Sequence, residues 1–196
     1  ASSTTWADGV RWLNRAVAAG HAPAMVHLAW AATKGRGVRR SSVLALRLLQ
    51  RAAATGELEA VLRMAHLLDD LGRPADARGL WMAAADKGDP RAMLQLARLH
   101  VRGRGGPVDA AAARRWLTKA VESGHPDALV WVARSAEESA LTPDLWRRAA
   151  EAGHAGAMVE MARRTRERDA AGARAWLERA AARGDAEAAL LLATGW

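Results

Sequence analysis

The groups in this sequence whose types could do chemistry are six histidines, two acidic pairs and two glycine-rich loops. A nucleophile needs a base within hydrogen-bond reach, and the spacing of the histidines supplies no such pair. His21, His125 and His154 each follow a glycine, at Gly20, Gly124 and Gly153, so we expect them to serve a turn and the helix start after it. His27, His66 and His100 fall on three different predicted helices, and none has a second histidine at the His-x3-His spacing of a metal site. Asp69-Asp70 and Glu137-Glu138 stand near predicted helix ends and read as solvated charge. The loops Gly35-Arg36-Gly37-Val38 and Gly103-Arg104-Gly105-Gly106 lack the Lys-Ser/Thr ending and the preceding strand of a phosphate cradle. We therefore expect no catalytic residue, no metal and no cofactor.

Composition narrows the remaining classes. The chain has 196 residues, 51% of them hydrophobic, enough for a sizeable core. It has no cysteine, hence no disulfide framework and no thiol chemistry, which fits a cytoplasmic protein. No apolar run approaches the roughly 20 residues that span a bilayer, and no signal peptide is visible. Ile, Phe and Tyr are absent and Arg far outnumbers Lys, the mark of a high-GC, bacterial genome. The formal net charge of +8 favours an anionic partner or surface.

The elements that must position these residues repeat. The pattern Gly-x3-Ala-x3-(Leu/Met/Val)-Ala begins at Gly20, Gly56, Gly88, Gly124, Gly153 and Gly184, about 29 to 36 residues apart. Four residues before each Gly stands an Ala: Ala16, Ala52, Ala84, Ala120, Ala149 and Ala180. One turn earlier come Trp12, Leu48, Trp81, Trp116, Trp146 and Trp176, expected to fill the wider part of a helix–helix interface where the alanines permit close approach. Each Gly ends one helix in the left-handed conformation and the next helix follows. The predicted elements are a first helix near 6–19, then pairs near 22–34 with 42–55, 58–70 with 74–87, 90–101 with 109–123, 126–139 with 143–152 and 155–166 with 170–183. A last helix starts near 186.

These residues resemble the Sel-one-like repeat, a relative of the tetratricopeptide repeat, over essentially the whole chain. The Gly-x-Gly-Val loop appears cleanly at Gly35–Val38 and as a variant at Gly103–Gly106. Two departures stand out. Ala29, Ala65, Ala97, Ala133, Ala162 and Ala193 stand where the family usually has Gly. Ala32, Leu68, His100, Ala136 and Thr165 stand where it usually has Tyr, and Trp196 alone is aromatic there. The resemblance implies an all-α, right-handed superhelical solenoid of antiparallel helix pairs with about twelve helices. We expect a single repeat domain over residues 1–196, five pairs plus an unpaired helix at each end.

The resemblance also implies a concave groove lined by the first helix of each pair. Counting along those helices gives an apolar position, Val26, Leu62, Leu94, Val130, Val159 and Leu190, read as the floor of that groove. Four residues on lie Trp30, His66, Arg98, Arg134, Arg163 and Thr194. An Arg ladder beside an apolar floor suits an extended peptide with acidic side chains or a C-terminal carboxylate. The alternative is pairing of these arginines with Glu59, Asp127, Glu137 or Glu138. A second basic feature lies on the edge made by the loops within pairs: Lys34, Arg36, Arg39, Arg40, Arg73, Arg102, Arg104, Arg164, Arg166 and Arg168. No aromatic residues interleave it in sequence, which weighs against base stacking. The expected function is a non-enzymatic scaffold or adaptor that binds a protein or peptide. A nucleic-acid or polyanion binder and a regulatory domain of a larger enzyme are the alternatives, and self-association through the unpaired terminal helices is a further expectation.

Overall fold

The computed structural model describes residues 2–135 and 142–196, with side chains from residue 6 onward. Ala136, Glu137, Glu138 and the predicted end of the helix at Ser139 lie outside the described residues. Within them the chain forms twelve helices and no strand. These are α1 (Ser2–Ala18), α2 (Ala22–Lys34), α3 (Ser42–Ala54), α4 (Leu58–Asp70), α5 (Pro74–Asp86), α6 (Pro90–Arg102), α7 (Ala110–Glu122), α8 (Pro126–Ser135), α9 (Thr142–Glu151), α10 (Ala155–Thr165), α11 (Ala170–Ala182) and α12 (Ala186–Ala193). The all-α fold expected from the repeat is the one observed. The helices gather into two compact units, Ala1–Ala113 and Arg114–Trp196.

Each helix break follows from local chemistry. Gly20, Gly56, Gly88, Gly124, Gly153 and Gly184 all have positive φ, which other residues adopt only with strain. The helix that follows is often capped by a side chain. His21 Nδ1 accepts from the Ala24 N–H at 3.2 Å, Asp89 Oδ1 from Ala92 at 2.9 Å, His154 Nδ1 from Ala157 at 3.0 Å and Asp185 Oδ1 from Ala188 at 2.9 Å. His21 and His154 thus serve the helix start, as their position after the turn glycine predicts.

The small residues set the packing distance. Ala52, Ala84, Ala120, Ala149 and Ala180 are fully buried, as are Ala60, Ala92, Ala128, Ala157 and Ala188. A methyl group fills each of these contacts, so a larger side chain there would overpack at a cost of about 1–3 kcal/mol or more. Ala29, Ala65, Ala97, Ala133 and Ala162 are buried too, so the β-carbon that replaces the family's usual glycine packs inside the core. In the first unit Val17, Met25, Leu28, Leu48 and Leu49 join these alanines. In the second, Leu129, Met158 and Leu177 do.

The tryptophans depart from the expected uniformity. Trp81 and Trp146 are buried, but Trp116 and Trp176 are half-buried and Trp12 is 67% exposed. The difference follows the register: Trp81 and Trp146 stand seven residues before their turn glycine, whereas Trp12, Trp116 and Trp176 stand eight before theirs, one position further round the helix. α1 packs on α2, and the indole of Trp12 stands at the margin of that contact. Only Trp81 and Trp146 gain the ~1.5–3 kcal/mol of full burial.

Candidate functional site

The first helices of the pairs present their repeat positions in two ways. Val26, Leu62, Leu94, Val130 and Val159, expected as a groove floor, are all buried. They pack in the core and line neither of the two cavities described below. Leu190 is exposed. The positions one turn on reach the surface. Trp30 and Arg98 are half-buried, while His66, Arg134 and Arg163 are exposed. His66 stands edge-on to the buried Trp81, with ring centroids 4.6 Å apart.

In the first unit α2, α3 and α4 enclose a cavity of about 430 Å³. Trp30 and His66 line it together with Lys34, Arg40, Arg63 and Asp70, over a floor that includes Ala29, Leu49 and Leu67. The sequence had placed Lys34 and Arg40 on a loop edge apart from the groove; the fold brings them to the same cavity as Trp30 and His66. Arg63 was not singled out, although its spacing from His66 on α4 puts the two on one face. Arg63 is also paired with Glu59 at 2.8 Å, and Glu59 bridges to Arg91 at 3.0 Å. Glu59 therefore serves Arg63 and Arg91 rather than the Arg ladder.

A second cavity, about 680 Å³ and almost wholly apolar, opens between α1 and α2. Trp6, Val10, Trp12, Leu13, Trp30 and Ala31 line it. Trp6 and Trp30 lie 5.9 Å apart, and the Arg36 guanidinium sits 5.1 Å from one ring and 5.0 Å from the other. Arg36 comes from the Gly35–Gly37 loop, whose seat is tight: a β-carbon on Gly37 would lie 2.6 Å from the Trp6 carbonyl oxygen.

The other basic residues divide by partner. Arg104 pairs with Asp69 at 2.9 Å and Arg164 with Glu160 at 2.7 Å. Arg163 is engaged by Glu187, a partner the sequence did not suggest. Asp127, proposed as a partner for the arginines, lies instead 3.6 Å from His154 Nε2. Arg39, Arg98, Arg102, Arg134 and Arg168 have no ion pair among the described residues. Arg164 and Arg166 lie over Trp146 and Trp196, at 5.8 and 4.6 Å. The edge therefore does carry aromatic partners, correcting the sequence reading. Those tryptophans are distant in sequence and reach the arginines only through the fold.

One carboxylate is strongly anchored. Burial pushes the Asp89 carboxyl up, but hydrogen bonds from the Arg91 guanidinium and the Ala92 N–H outweigh it, and its pKa falls below the ordinary value. The bond to Asp89, helped by that to Glu59, holds the Arg91 guanidinium's pKa above its usual value. These groups fix the start of α6 and form no catalytic constellation. Among the described residues no cluster of His, Asp or Glu could hold a metal ion, and no helix is long and apolar enough to cross a membrane.

Comparison with known proteins agrees with this architecture. The chain is similar in fold to a protective antigen present in uropathogenic Escherichia coli strains that displays an SLR fold. Identity is 22%, the TM-score is 0.61, and the match covers 93% of this chain and 43% of that one. This chain thus spans less than half of that relative's length. It is also similar to a Sel1 repeat protein from Oxalobacter formigenes, at 19% identity and a TM-score of 0.70, covering 94% of this chain and 82% of that one. No curated protein matches. The family model of the Sel1 repeat matches residues 22–56, 90–125, 144–154 and 157–185, together more than half of the chain. Its two longest matches, 22–56 and 90–125, contain the repeats that keep the glycine loop. The chain belongs to the Sel1 repeat family, whose members are generally non-enzymatic protein-interaction scaffolds.

Proposed function

We propose that this chain is a non-enzymatic scaffold that docks an acidic segment of a partner protein on the first unit, in the cleft between α2, α3 and α4. The observation that carries the reading is the convergence of Lys34, Arg40 and the Glu59-paired Arg63, which outnumber Asp70, around the apolar floor of the 430 Å³ cavity, with Trp30 and His66 as walls. Arginine forks and the lysine ammonium match carboxylates. Arg98 holds the same register position on α6 as Trp30 and His66 hold on theirs, and has no ion pair among the described residues. In the second unit Arg134 is the corresponding cation, whereas Arg163 would first have to leave Glu187.

Magnitudes limit what charge can supply. An exposed ion pair contributes about 0.2–1 kcal/mol, and a micromolar Kd requires about 8 kcal/mol. The cations therefore orient and select the segment, while apolar contact must supply most of the affinity. A fluorescein-labelled glutamate-rich peptide titrated into the full chain, with anisotropy as readout, tests the reading. The Lys34→Glu/Arg40→Glu variant should weaken binding at least about tenfold. Unchanged affinity in a folded double variant would refute it.

A second reading, single-stranded nucleic acid, is favoured by the stacking of Arg36 on Trp6 and Trp30 and of Arg166 on Trp196. Such binding would fall steeply with salt. The absence of a mobility shift with single-stranded DNA or RNA at low salt would remove it.

A further inference from the structure

The need for apolar contact points to the second cavity. Trp30 lines both the cationic cleft and the 680 Å³ apolar cleft, so the two are neighbours across one indole. We infer that they form one bipartite site, in which leucine-like or aromatic side chains of the partner fill the cleft around Trp12 while the acidic residues next to them reach Lys34 and Arg40. This rests on the docking function proposed above and specifies the class of partner: an amphipathic acidic segment with an adjoining apolar anchor.

Three features select that occupant. The cleft exposes large apolar surface, with Trp12 67% and Trp6 41% accessible. Its size lies in the range of roughly 300–1,000 Å³ typical of ligand pockets. Its rim is basic: the Arg15 guanidinium lies 5.0 Å from the Trp12 ring, and Arg36 lies over Trp6 and Trp30. An apolar group flanked by carboxylates satisfies both the cleft and the rim. A second copy of this chain, with a net charge of +8, brings like charge to that rim.

The test uses two labelled peptides, one of leucines followed by glutamates and one with glycine in place of each leucine. Both are titrated into the wild-type chain, Trp12→Ala and Lys34→Glu/Arg40→Glu, with folding checked by circular dichroism. Trp12 is exposed, so its truncation leaves the core intact. The wild type should bind the leucine peptide roughly tenfold or more tighter than the glycine peptide, Trp12→Ala should abolish that preference, and charge reversal should weaken both peptides. Equal binding of the two peptides to wild type, with charge reversal still effective, would overturn the bipartite site and leave the cationic cleft standing. A preference that survives Trp12→Ala would also overturn it. Loss of charge dependence would overturn both readings. Sedimentation of the wild type and Trp12→Ala supplies the last arm: a concentration-dependent dimer abolished by Trp12→Ala would show a second copy in the cleft and overturn the assignment.

Discussion

The two glycine loops of the first unit share a backbone and differ in what they hold. In both, the glycine after the helix is left-handed, with φ of 68° at Gly35 and 63° at Gly103. The Arg36 N–H donates to the Ala31 carbonyl and that of Arg104 to Leu99, each at 3.0 Å. Ser41 N–H returns to Ala32 and Asp109 N–H to His100. The second left-handed glycine presses on the preceding second helix, Gly37 on the Trp6 carbonyl and Gly105, closer still, on that of Pro74. Around this common frame the side chains diverge. Arg36 lies over two adjacent indoles that line an apolar cleft, whereas Arg104 pairs with Asp69. Beneath the second loop Arg78 approaches the buried His100, with Nη2 3.2 Å from Nδ1. The corresponding positions at the first loop are Val10 and Ala32. A conserved loop geometry thus builds an open aromatic surface at one site and a closed polar plug at the other, because Trp30 is replaced by Arg98 and Trp6 by Pro74.

The largest expected effect tests the shared frame. Gly37→Ala and Gly105→Ala each force a β-carbon onto backbone at positive φ, and should cost about 3 kcal/mol or more in urea unfolding, summing overpacking and the left-handed penalty. Gly20→Ala, where a β-carbon meets nothing within 4 Å, should cost only about 1–2 kcal/mol. Equal losses at all three would mean the loops do not press on the preceding helices. Next, Arg78→Ala should destabilise by about 1–3 kcal/mol, since it strips a hydrogen bond from buried His100, and it should leave the peptide binding proposed for the cleft between α2, α3 and α4 untouched.

The helices leading into the two loops offer a sharper contrast. Asp89→Ala removes the cap of α6 and should cost about 1–2 kcal/mol at neutral pH; His21→Ala, at the start of α2, should cost about 0.5–1. The Asp89 carboxyl titrates below its unfolded value of 3.8, so its stabilisation is present above that pH and is lost as pH falls through the lower folded value. The gap between wild type and Asp89→Ala should therefore close on acidification through that window. Persistence of the full gap at lower pH would contradict the carboxylate's role.

The smallest effects separate the two arginines. Arg36→Ala should cost about 0.5–1 kcal/mol through lost stacking and shift the tryptophan fluorescence. Arg104→Ala should cost about 0.2–1 kcal/mol and leave the fluorescence unchanged, with the loss fading at high salt. A salt-insensitive Arg104 loss, or an Arg36 variant with native fluorescence, would erase the distinction.

The repeat was legible in the sequence because its cause is local. A glycine that must be left-handed, a capping residue after it and an alanine where helices touch are all set within one turn of chain. These place the breaks near Gly20, Gly56, Gly88, Gly124, Gly153 and Gly184 and bury Ala52, Ala84 and Ala120. The candidate site was only partly legible. Trp30, His66 and Arg98 were found by register, since a helix presents the same offset on the same side in every repeat. That Val26 and Leu62 are buried and line neither cavity was not visible, because one helix face can serve a groove or a neighbouring helix with the same apolar residue.

What the sequence determined by itself is therefore the helical repeat and the residue types at each offset. Tertiary structure alone decided which of equivalent positions stay exposed, as Leu190 does and Leu94 does not. It alone brought Lys34, Arg40 and Arg63 to one cavity and laid Arg36 on two indoles. The reason is physical: helix breaks and caps depend on neighbours along the chain, whereas burial and charge pairing depend on which distant surface packs against a side chain.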